Sequence, residues 1–317
     1  MKYLFFDIEC AGVTKKSAKI CAFGYCLTDD KFNILDKRDL LINPQGSFHL
    51  TDRKGEQGLV LPYTYGEFKK YPTFPQVVEK IRGLLEDSDT LVAGHATMND
   101  VKYLNLESNR FSLDSFNFSF ADTQFIYMNK INEFSRQFAL GKIAENLSVD
   151  FVAHKAMDDA YATMRIAEAM CKDENTDFLG LLEKYEISLG KIENYEITQG
   201  SSVAFDKYLE EVKRKKEERE KARVLFHNFV DREKRKRAKD GKFKGKRVCF
   251  SHAITLDTPI AKDLIVKLFA QAGFYSFRAE ECDIYVYQDG ETGQRMKSAL
   301  ENKARAVSLD EFISIFN

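Results

Sequence analysis

Two acidic residues, Asp7 and Glu9, stand one residue apart at the end of the run KYLFFDIE at positions 2–9. A short, aromatic-rich run of this kind is typical of a buried strand. Side chains alternate along a strand, so both carboxylates would point to the same face. Acids on one face repel each other unless water or a cation separates them. The pair therefore indicates either a strand that ends in solvent or part of a divalent metal site with oxygen ligands.

Two further acids stand where they could complete such a metal site. Asp100 lies at the start of a predicted helix that follows the apolar run 91–94, and Asp159 lies near the first turn of another predicted helix. Each has an ordinary explanation as a first-turn acid that the helix dipole favours. Strand ends and helix starts converge at one edge of an α/β sheet, however, so we expect the four acids to form one cluster.

The expected cluster has a chemical consequence. Four carboxylates in one crevice would raise one another's pKa values and destabilise the fold, whereas two divalent cations would neutralise them. Two such cations about 4 Å apart can clamp the attacking and the leaving oxygen of a phosphodiester. His154, on the loop before Asp159, has an ordinary pKa of about 6.5 and could accept a proton from the attacking water. These residues together predict a nuclease.

The three segments that carry these residues also resemble a known family. Positions 7–9 (DIE), 95–100 (HATMND) and 154–160 (HKAMDDA) are similar to the three exonuclease motifs of the DEDDh group of 3′–5′ exonucleases. That group includes the proofreading epsilon subunit of bacterial DNA polymerase III and oligoribonuclease-like enzymes. The resemblance covers about the first 185 residues and implies a ribonuclease-H-like fold.

The resemblance also implies a role for each residue. Asp7, Glu9 and Asp159 would hold one Mg²⁺ or Mn²⁺ ion, and Asp7 would bridge to a second ion. Asp100 would reach that second ion directly or through water, and His154 would be the general base. The products would be nucleoside 5′-monophosphates. No residue that binds the substrate itself is identified.

The length of 317 residues allows two domains, and strands followed by helices favour an α/β class for the first. We predict an exonuclease domain over residues 1–190, a charged helical linker over 191–242 and a small α/β domain over 243–317. The formal net charge of −1 argues against a basic surface over the whole molecule, but a local patch remains compatible with it.

Residues 232–247 form such a local patch, because they contain many lysines and arginines and few acids. One interpretation is a solvated hinge between domains. The other is a surface that contacts the phosphate backbone of a nucleic acid, whose affinity would fall steeply with salt.

The segment 243–251, the predicted helix start at 293–299 and the closing segment 308–312 resemble a BRCT domain of the bacterial DNA-ligase type. In that family a hydroxyl-glycine pair after the first strand and a basic side chain on the second helix can hold a phosphate. Ser251 and Arg295 occupy those places, but His252 replaces the glycine. The resemblance therefore implies either a phosphate reader or a structural, partner-binding domain.

Six scattered cysteines support neither a zinc site nor a disulfide framework, so we expect buried thiols in a reducing compartment. No apolar run is long enough to span a bilayer, and a cytoplasmic protein without a membrane partner is expected.

The sequence thus predicts a two-metal 3′–5′ exonuclease acting on single-stranded or frayed 3′ ends of DNA in replication or repair, with a DNA polymerase or a repair protein as a partner. An RNA-trimming exoribonuclease is the first alternative. A scaffold subunit with a vestigial site, which recruits partners through the BRCT-like domain, is the second.

Overall fold

A computed structural model describes residues 1–46, 65–150, 155–256, 258–288 and 290–316. The chain forms two compact units, Met1–Glu210 and Glu211–Asn317. Among the described residues, no helix is long and apolar enough to cross a membrane.

A seven-stranded mixed sheet is the centre of the first unit. Its strands are β1 (Lys2–Cys10), β2 (Ile20–Asp29), β3 (Ile34–Leu41), β4 (Thr90–Gly94), β5 (Phe118–Asp122), β6 (Gly190–Glu193) and β7 (Glu196–Thr198). Their order in the sheet is β3-β2-β1-β4-β5-β6-β7. β1 pairs with β2 in antiparallel and with β4 in parallel orientation, so it is a central strand. This arrangement confirms the predicted mixed α/β class and fits a ribonuclease-H-like fold.

Helices cover both faces of this sheet. Tyr3 and Phe5 of β1 pack into one hydrophobic cluster, while Leu4 and Phe6 pack into another, as the alternation of side chains along a strand requires. The strand that carries Asp7 is therefore held from both sides. The helices are α1 (Tyr65–Phe68), α2 (Phe74–Leu85), α3 (Met98–Arg110), α4 (Thr123–Ile131), α5 (Leu140–Asn146), α6 (Ala156–Glu174), α7 (Phe178–Lys184) and α8 (Val203–Lys234).

The sheet extends further along the chain than the predicted domain end at residue 190. Strand β7 and all of β6 after Gly190 lie within the range 191–242 that was predicted as a linker. Ile192 is fully buried in the core, and a Cβ at Gly190 would lie 2.4 Å from the ring of Phe120. Glycine at position 190 and the apolar side chain at position 192 let β6 pack against β5. The first unit therefore continues beyond the predicted domain end at residue 190.

The charged helix predicted after the first domain is α8, of 32 residues, and the boundary between the two units falls within it. Its charges pair along the helix, for example Glu211 with Lys215 at 2.9 Å. Such i,i+4 pairs stabilise an exposed helix. The predicted linker also included residues up to 242, but the helix ends at Lys234 and turns follow it.

The second unit is a small α/β unit. Its four-stranded sheet has the order β11-β10-β8-β9 with all pairs parallel. Val248, Phe250 and Val286 lie in its buried core together with Leu264 and Phe312. The elements are β8 (Arg247–Phe250), α9 (His252–Leu256), α10 (Thr258–Ala270), β9 (Phe274–Tyr275), a 3₁₀ helix (Ala279–Glu281), β10 (Ile284–Tyr287), α11 (Gln294–Glu301), β11 (Arg305–Ser308) and α12 (Leu309–Ser314).

Candidate active site

Three of the four predicted acids meet in the first unit. Asp7 and Glu9 project from the end of β1, and Asp159 projects from the first turn of α6. One carboxylate oxygen of each lies within 4.8 Å of those of the other two. Asp159 follows Glu9 by 150 residues in the sequence, so the packing of α6 on the sheet creates the cluster.

The absence of a side chain at one position of β2 leaves room for the start of α6. Asp7 of β1 is in register with Gly24 of β2, and Gly24 is in register with Asp39 of β3. A Cβ at Gly24 would lie 2.0 Å from the carbonyl carbon of Ala156 and 2.1 Å from the nitrogen of Met157. Glycine is therefore required where the backbone of α6 crosses β2.

Asp39 holds the helix at the same place. Its Oδ1 accepts a hydrogen bond from the backbone N–H of Met157 at 3.2 Å, and the N-cap residue Lys155 makes no side-chain cap of its own. Asp158, which sequence position suggests as the cap, lies inside the first turn instead.

Neither Gly24 nor Asp39 was among the predicted site residues. A glycine inside an otherwise apolar strand was the available signal for a close backbone approach.

Asp100 approaches the cluster from α3 but does not belong to the group of three carboxylates. Its side chain is only 5% exposed, and the backbone N–H of Ile8 hydrogen-bonds its carboxylate and favours the charged form. Its charge nevertheless acts on Asp7. The structure therefore places Asp100 next to the three clustered acids.

The pKa values of Asp7, Glu9 and Asp100 are raised, because burial removes water from carboxylates that also repel one another. Burial raises the pKa of Asp7 well above its ordinary value, and the charges of Asp100 and Glu9 raise it further. Burial and the charges of Asp159 and Asp39 raise the pKa of Glu9 to about 7. Burial also raises the pKa of Asp100. Without a cation, bringing these charges together costs free energy.

This donor set fits a divalent cation. Carboxylate oxygens are the ligands that Mg²⁺ and Mn²⁺ prefer, and three of them within 4.8 Å can reach one ion. The buried acid Glu107 is arranged differently, since it accepts hydrogen bonds from the N–H of Lys19 at 3.0 Å and from Arg110 at 2.8 Å. Glu107 is thus satisfied by the protein, and it lies outside the cluster.

Two polar residues near the cluster have structural roles. Asp122 accepts hydrogen bonds from the N–H groups of Ala96 and Thr97, both at 3.0 Å, and caps α4. Burial lowers the pKa of His95 to about 4, and its Nε2 lies 3.0 Å from the carbonyl oxygen of Phe138. His95 is therefore neutral at physiological pH. His154, the predicted base, lies outside the described residues, so its role stays a prediction.

In the second unit, Ser251 and Arg295 make internal contacts. Ser251 is fully buried, and its hydroxyl accepts a hydrogen bond from the N–H of Ile254 at 3.4 Å. Arg295 donates to the carbonyl oxygen of Phe277 at 2.7 Å and to the Sγ of Cys249 at 3.2 Å. The predicted phosphate contact would have to compete with these bonds, and it stays a prediction. All six cysteines are buried free thiols.

A central mixed sheet that presents clustered carboxylates beside a helix start defines the first unit as a nuclease-like α/β domain. The sequence matches the family described as Exonuclease (RNase_T) over residues 4–167, more than half of the chain. The chain therefore belongs to this exonuclease family. The match contains Asp7, Glu9, Asp100 and Asp159, and it confirms the predicted enzyme class, a 3′–5′ exonuclease.

A comparison with curated proteins found no match. Among solved structures, a 3′-exonuclease described in the 3′-end-specific recognition of a histone mRNA stem-loop is 16% identical, with 64% of this chain and 91% of that chain covered and a TM-score of 0.48. The nuclease domain of 3′hExo, described as a DEDDh family member bound to rAMP, is 17% identical over 54% of this chain and 92% of that chain, with a TM-score of 0.45. Escherichia coli exonuclease I with a 5cy-dA13 oligonucleotide is 17% identical over 58% and 42%, with a TM-score of 0.44.

Proposed function

We propose that this protein is a two-metal-dependent 3′–5′ exonuclease that releases nucleoside 5′-monophosphates from DNA ends in replication proofreading or repair. The observation that carries the proposal is the group of three carboxylates, Asp7, Glu9 and Asp159, whose oxygens lie within 4.8 Å of one another. The site lies inside the segment that matches the exonuclease family. Burial and neighbouring carboxylates raise the pKa values of Asp7 and Glu9, and a bound cation would offset this repulsion.

Asp7, Glu9 and Asp159 would hold a first Mg²⁺ or Mn²⁺ ion, with Asp7 and Asp100 facing a second. When bound, the cations neutralise the acids and stabilise negative charge that develops on the scissile phosphate. His154 would accept the proton of the attacking water, since its ordinary pKa of about 6.5 leaves it neutral at physiological pH. His154 immediately precedes Lys155, the N-cap residue of α6, and the first turn of this helix carries Asp159.

The substrate is proposed to be the single-stranded or frayed 3′ end of DNA. Purified protein should be incubated with matched single-stranded DNA and RNA, each labelled at its 5′ end, with Mg²⁺, Mn²⁺ or a chelator. We expect ladders that shorten from the 3′ end and release of 5′-monophosphates with either ion, and faster shortening of DNA. Faster shortening of RNA would favour an exoribonuclease. A ladder that shortens from the 5′ end would contradict the polarity.

The second unit is proposed to be a BRCT-like domain that recruits a polymerase or a repair protein. Its parallel sheet of four short strands, packed with helices around two hydrophobic clusters, supports this proposal. A scaffold without catalytic activity is the alternative from another class. This scaffold hypothesis would be supported if the purified wild type left all 3′-ended substrates intact with both Mg²⁺ and Mn²⁺. The variant Asp7→Ala should then bind partners as the wild type does. We also expect the protein in the cytoplasm, as the free thiols suggest.

A further inference from the structure

An ordered basic surface lies on the second unit. Residues 232–247 contain ten lysines and arginines but only two acids, Glu233 and Asp240. Both acids are already paired, Glu233 with Lys236 at 2.9 Å and Asp240 with Lys244 at 3.4 Å. The positive charge of the segment is therefore far from neutralised by its own sequence neighbours.

The backbone of this segment is anchored to the end of α10. The N–H of Ala238 donates to the carbonyl oxygen of Phe269, and the N–H of Phe243 donates to that of Gln271, both at 2.9 Å. Phe243 is buried against Phe312, with ring centroids 5.5 Å apart. A solvated hinge would lack these contacts. The cations are instead displayed from a folded surface, which lowers the entropy cost of binding a ligand.

Some of these cations are used by the fold. Arg237 donates to the carbonyl oxygen of Ala272 at 2.8 Å and lies 3.9 Å from the ring centroid of Phe274. Lys242 donates to the carbonyl oxygen of Ile315 at 2.8 Å. Five others are exposed, and their side chains have no partner in the part of the chain that the structure describes. They are Lys234, Arg235, Lys239, Lys246 and Arg247.

We propose that these five residues, called the basic surface below, bind the phosphate backbone of a single-stranded nucleic acid. Exposed cations without acidic partners attract phosphates and release the counterions that the phosphates hold. Nucleic acid is favoured as the partner because the same chain belongs to an exonuclease family, so the inference rests on the proposed function for the kind of polyanion. Sequence specificity is not expected, since phosphate contacts carry none.

The test compares two full-length variants with equal changes in net charge. In the first, the five residues of the basic surface are replaced by glutamine. In the matched control, five cations of α8 that lie among acids are replaced in the same way: Lys213, Lys216, Arg219, Lys221 and Arg223. Binding of a labelled oligothymidylate of about 30 nucleotides is followed by fluorescence anisotropy in chelator, which prevents cleavage, over a range of salt concentrations.

We expect the basic-surface variant to bind at least about tenfold more weakly at low salt and to lose about three units of the slope of log K against log salt. The control should stay within about threefold of the wild type. Equal losses in both variants, or none, would overturn the proposal, as would binding to anionic lipid vesicles but not to the oligonucleotide. If the wild type binds through this surface but cleaves nothing, the proposed function fails while this inference stands.

A second inference rests on the contact between β3 and α6. Lys37 Nζ lies 4.2 Å from the ring centroid of Tyr161, and Asp39 accepts from the N–H of Met157 at 3.2 Å. Two strand residues advance about 6.7 Å, and four helix residues advance about 6 Å. The helix can therefore follow the strand, and Asp39 contacts the residue two positions before Asp159.

We infer that Asp39 is a positioning residue, which acts through its hydrogen bond to Met157 to hold the turn of α6 that presents Asp159. It lies outside the group of three carboxylates, and its Oδ1 already accepts the hydrogen bond from the N–H of Met157. The first turn of α6 has no cap from its own N-cap side chain, which leaves this acceptor from β3 to fix the helix start. The variants Asp39→Ala and Asp39→Asn separate the acceptor from the charge.

Three full-length variants should be compared by amide hydrogen exchange at Met157 and by the affinity for Mn²⁺ in calorimetry. Asp39→Ala should raise the exchange rate about fivefold or more and weaken Mn²⁺ binding by a similar factor. Asp39→Asn keeps an acceptor oxygen and should stay close to the wild type in both. Asp36→Ala, on the same strand, is the matched control and should change neither.

Two results would overturn the positioning role of Asp39. Unchanged exchange at Met157 in Asp39→Ala would show that the hydrogen bond does not hold the helix start. A loss of Mn²⁺ affinity in Asp39→Asn as large as that in Asp39→Ala would assign the effect to charge instead. If Asp39→Ala fails to fold by circular dichroism, the comparison of Asp39→Asn with the wild type still decides between acceptor and charge.

Discussion

Gly24 of β2 leaves the space in which the backbone of Ala156 lies, since a Cβ at residue 24 would come within 2.0 Å of the Ala156 carbonyl carbon. The same glycine is in register with Asp7. One missing side chain thus lets α6 reach the strand that carries two of the clustered acids. The active site depends on this close approach as much as on the acids themselves.

Gly24→Ala should therefore damage both stability and the site. The added methyl group must push α6 away from β2, and overpacking of this kind costs roughly 1–3 kcal/mol of the free energy of unfolding. We expect a lower melting temperature and weaker Mn²⁺ binding, measured by thermal unfolding and calorimetry. Gly83→Ala, in helix α2 with nothing within 4 Å of the new Cβ, is the matched control. It should stabilise the protein by roughly 0.5–1 kcal/mol. Equal behaviour of the two variants would contradict the role of Gly24.

Asp7→Asn should separate catalysis from stability. The substitution removes a proposed metal ligand, so activity should fall at least about 100-fold. It also replaces a buried carboxyl group whose ionisation is disfavoured by burial and by the charges of Asp100 and Glu9, so the variant should melt at a higher temperature than the wild type in chelator. Thermal unfolding with chelator and with Mg²⁺ measures both effects. A wild type that gains no stability from Mg²⁺ or Mn²⁺ would argue against the metal site.

Glu9 should make the stability of the metal-free protein depend on pH. Its pKa is raised from 4.5 to about 7 by burial and by the charges of Asp159 and Asp39, so the folded state binds more protons between these values. The free energy of unfolding should therefore fall as pH rises from about 4.5 to about 7, by on the order of 2 kcal/mol. Below about pH 4.5 this contribution is constant.

Denaturant unfolding in chelator at several pH values measures this dependence. Glu9→Gln should flatten the profile, because the amide does not titrate. Saturating Mg²⁺ should flatten it as well, since bound cations favour the ionised carboxylates. A profile that rises over the same pH range would show that Glu9 is not desolvated in the way the structure indicates.

His154→Ala should slow turnover and leave metal binding nearly unchanged. A general base typically contributes about 10²- to 10⁴-fold to a rate, whereas His154 is not one of the proposed ligands. Single-turnover cleavage and Mn²⁺ calorimetry on the same preparation separate the two properties. His252→Ala, in the second unit, is a control for the loss of an imidazole elsewhere. An unchanged rate in His154→Ala would remove it from the mechanism.

The sequence predicted most of the elements around the site because each has a local signal. The apolar run of β1 and its alternating acids appear in the structure as a central strand with Asp7 and Glu9 at its end. The capping box of Thr73 and Gln76 marks the start of α2. Asp122 caps α4 by accepting from the N–H groups of Gln124 and Phe125. Such features depend on neighbours a few residues away.

The parts that could not be predicted depend on contacts between distant segments. Residues 191–198 are too short and too polar to be recognised as strands, and they pair only because β5 offers an open edge. Asp39 resembles any acid on a partly exposed strand until the backbone of Met157, 118 residues further on, is placed beside it. The side-chain acceptor at the start of α6 is Asp39 of β3, and no pattern within the sequence of α6 itself indicates it.

For this protein, the sequence by itself determined the chemistry: the kinds of side chain, their order and their membership of an exonuclease family. Only the tertiary structure decided which carboxylates share a site, since it groups Asp7, Glu9 and Asp159 and sets Asp100 beside them. The physical reason is that residue types are local properties, whereas distances between charges depend on how α6 packs across β2. That packing, in turn, depends on the absent side chain of Gly24 and on the acceptor oxygen of Asp39.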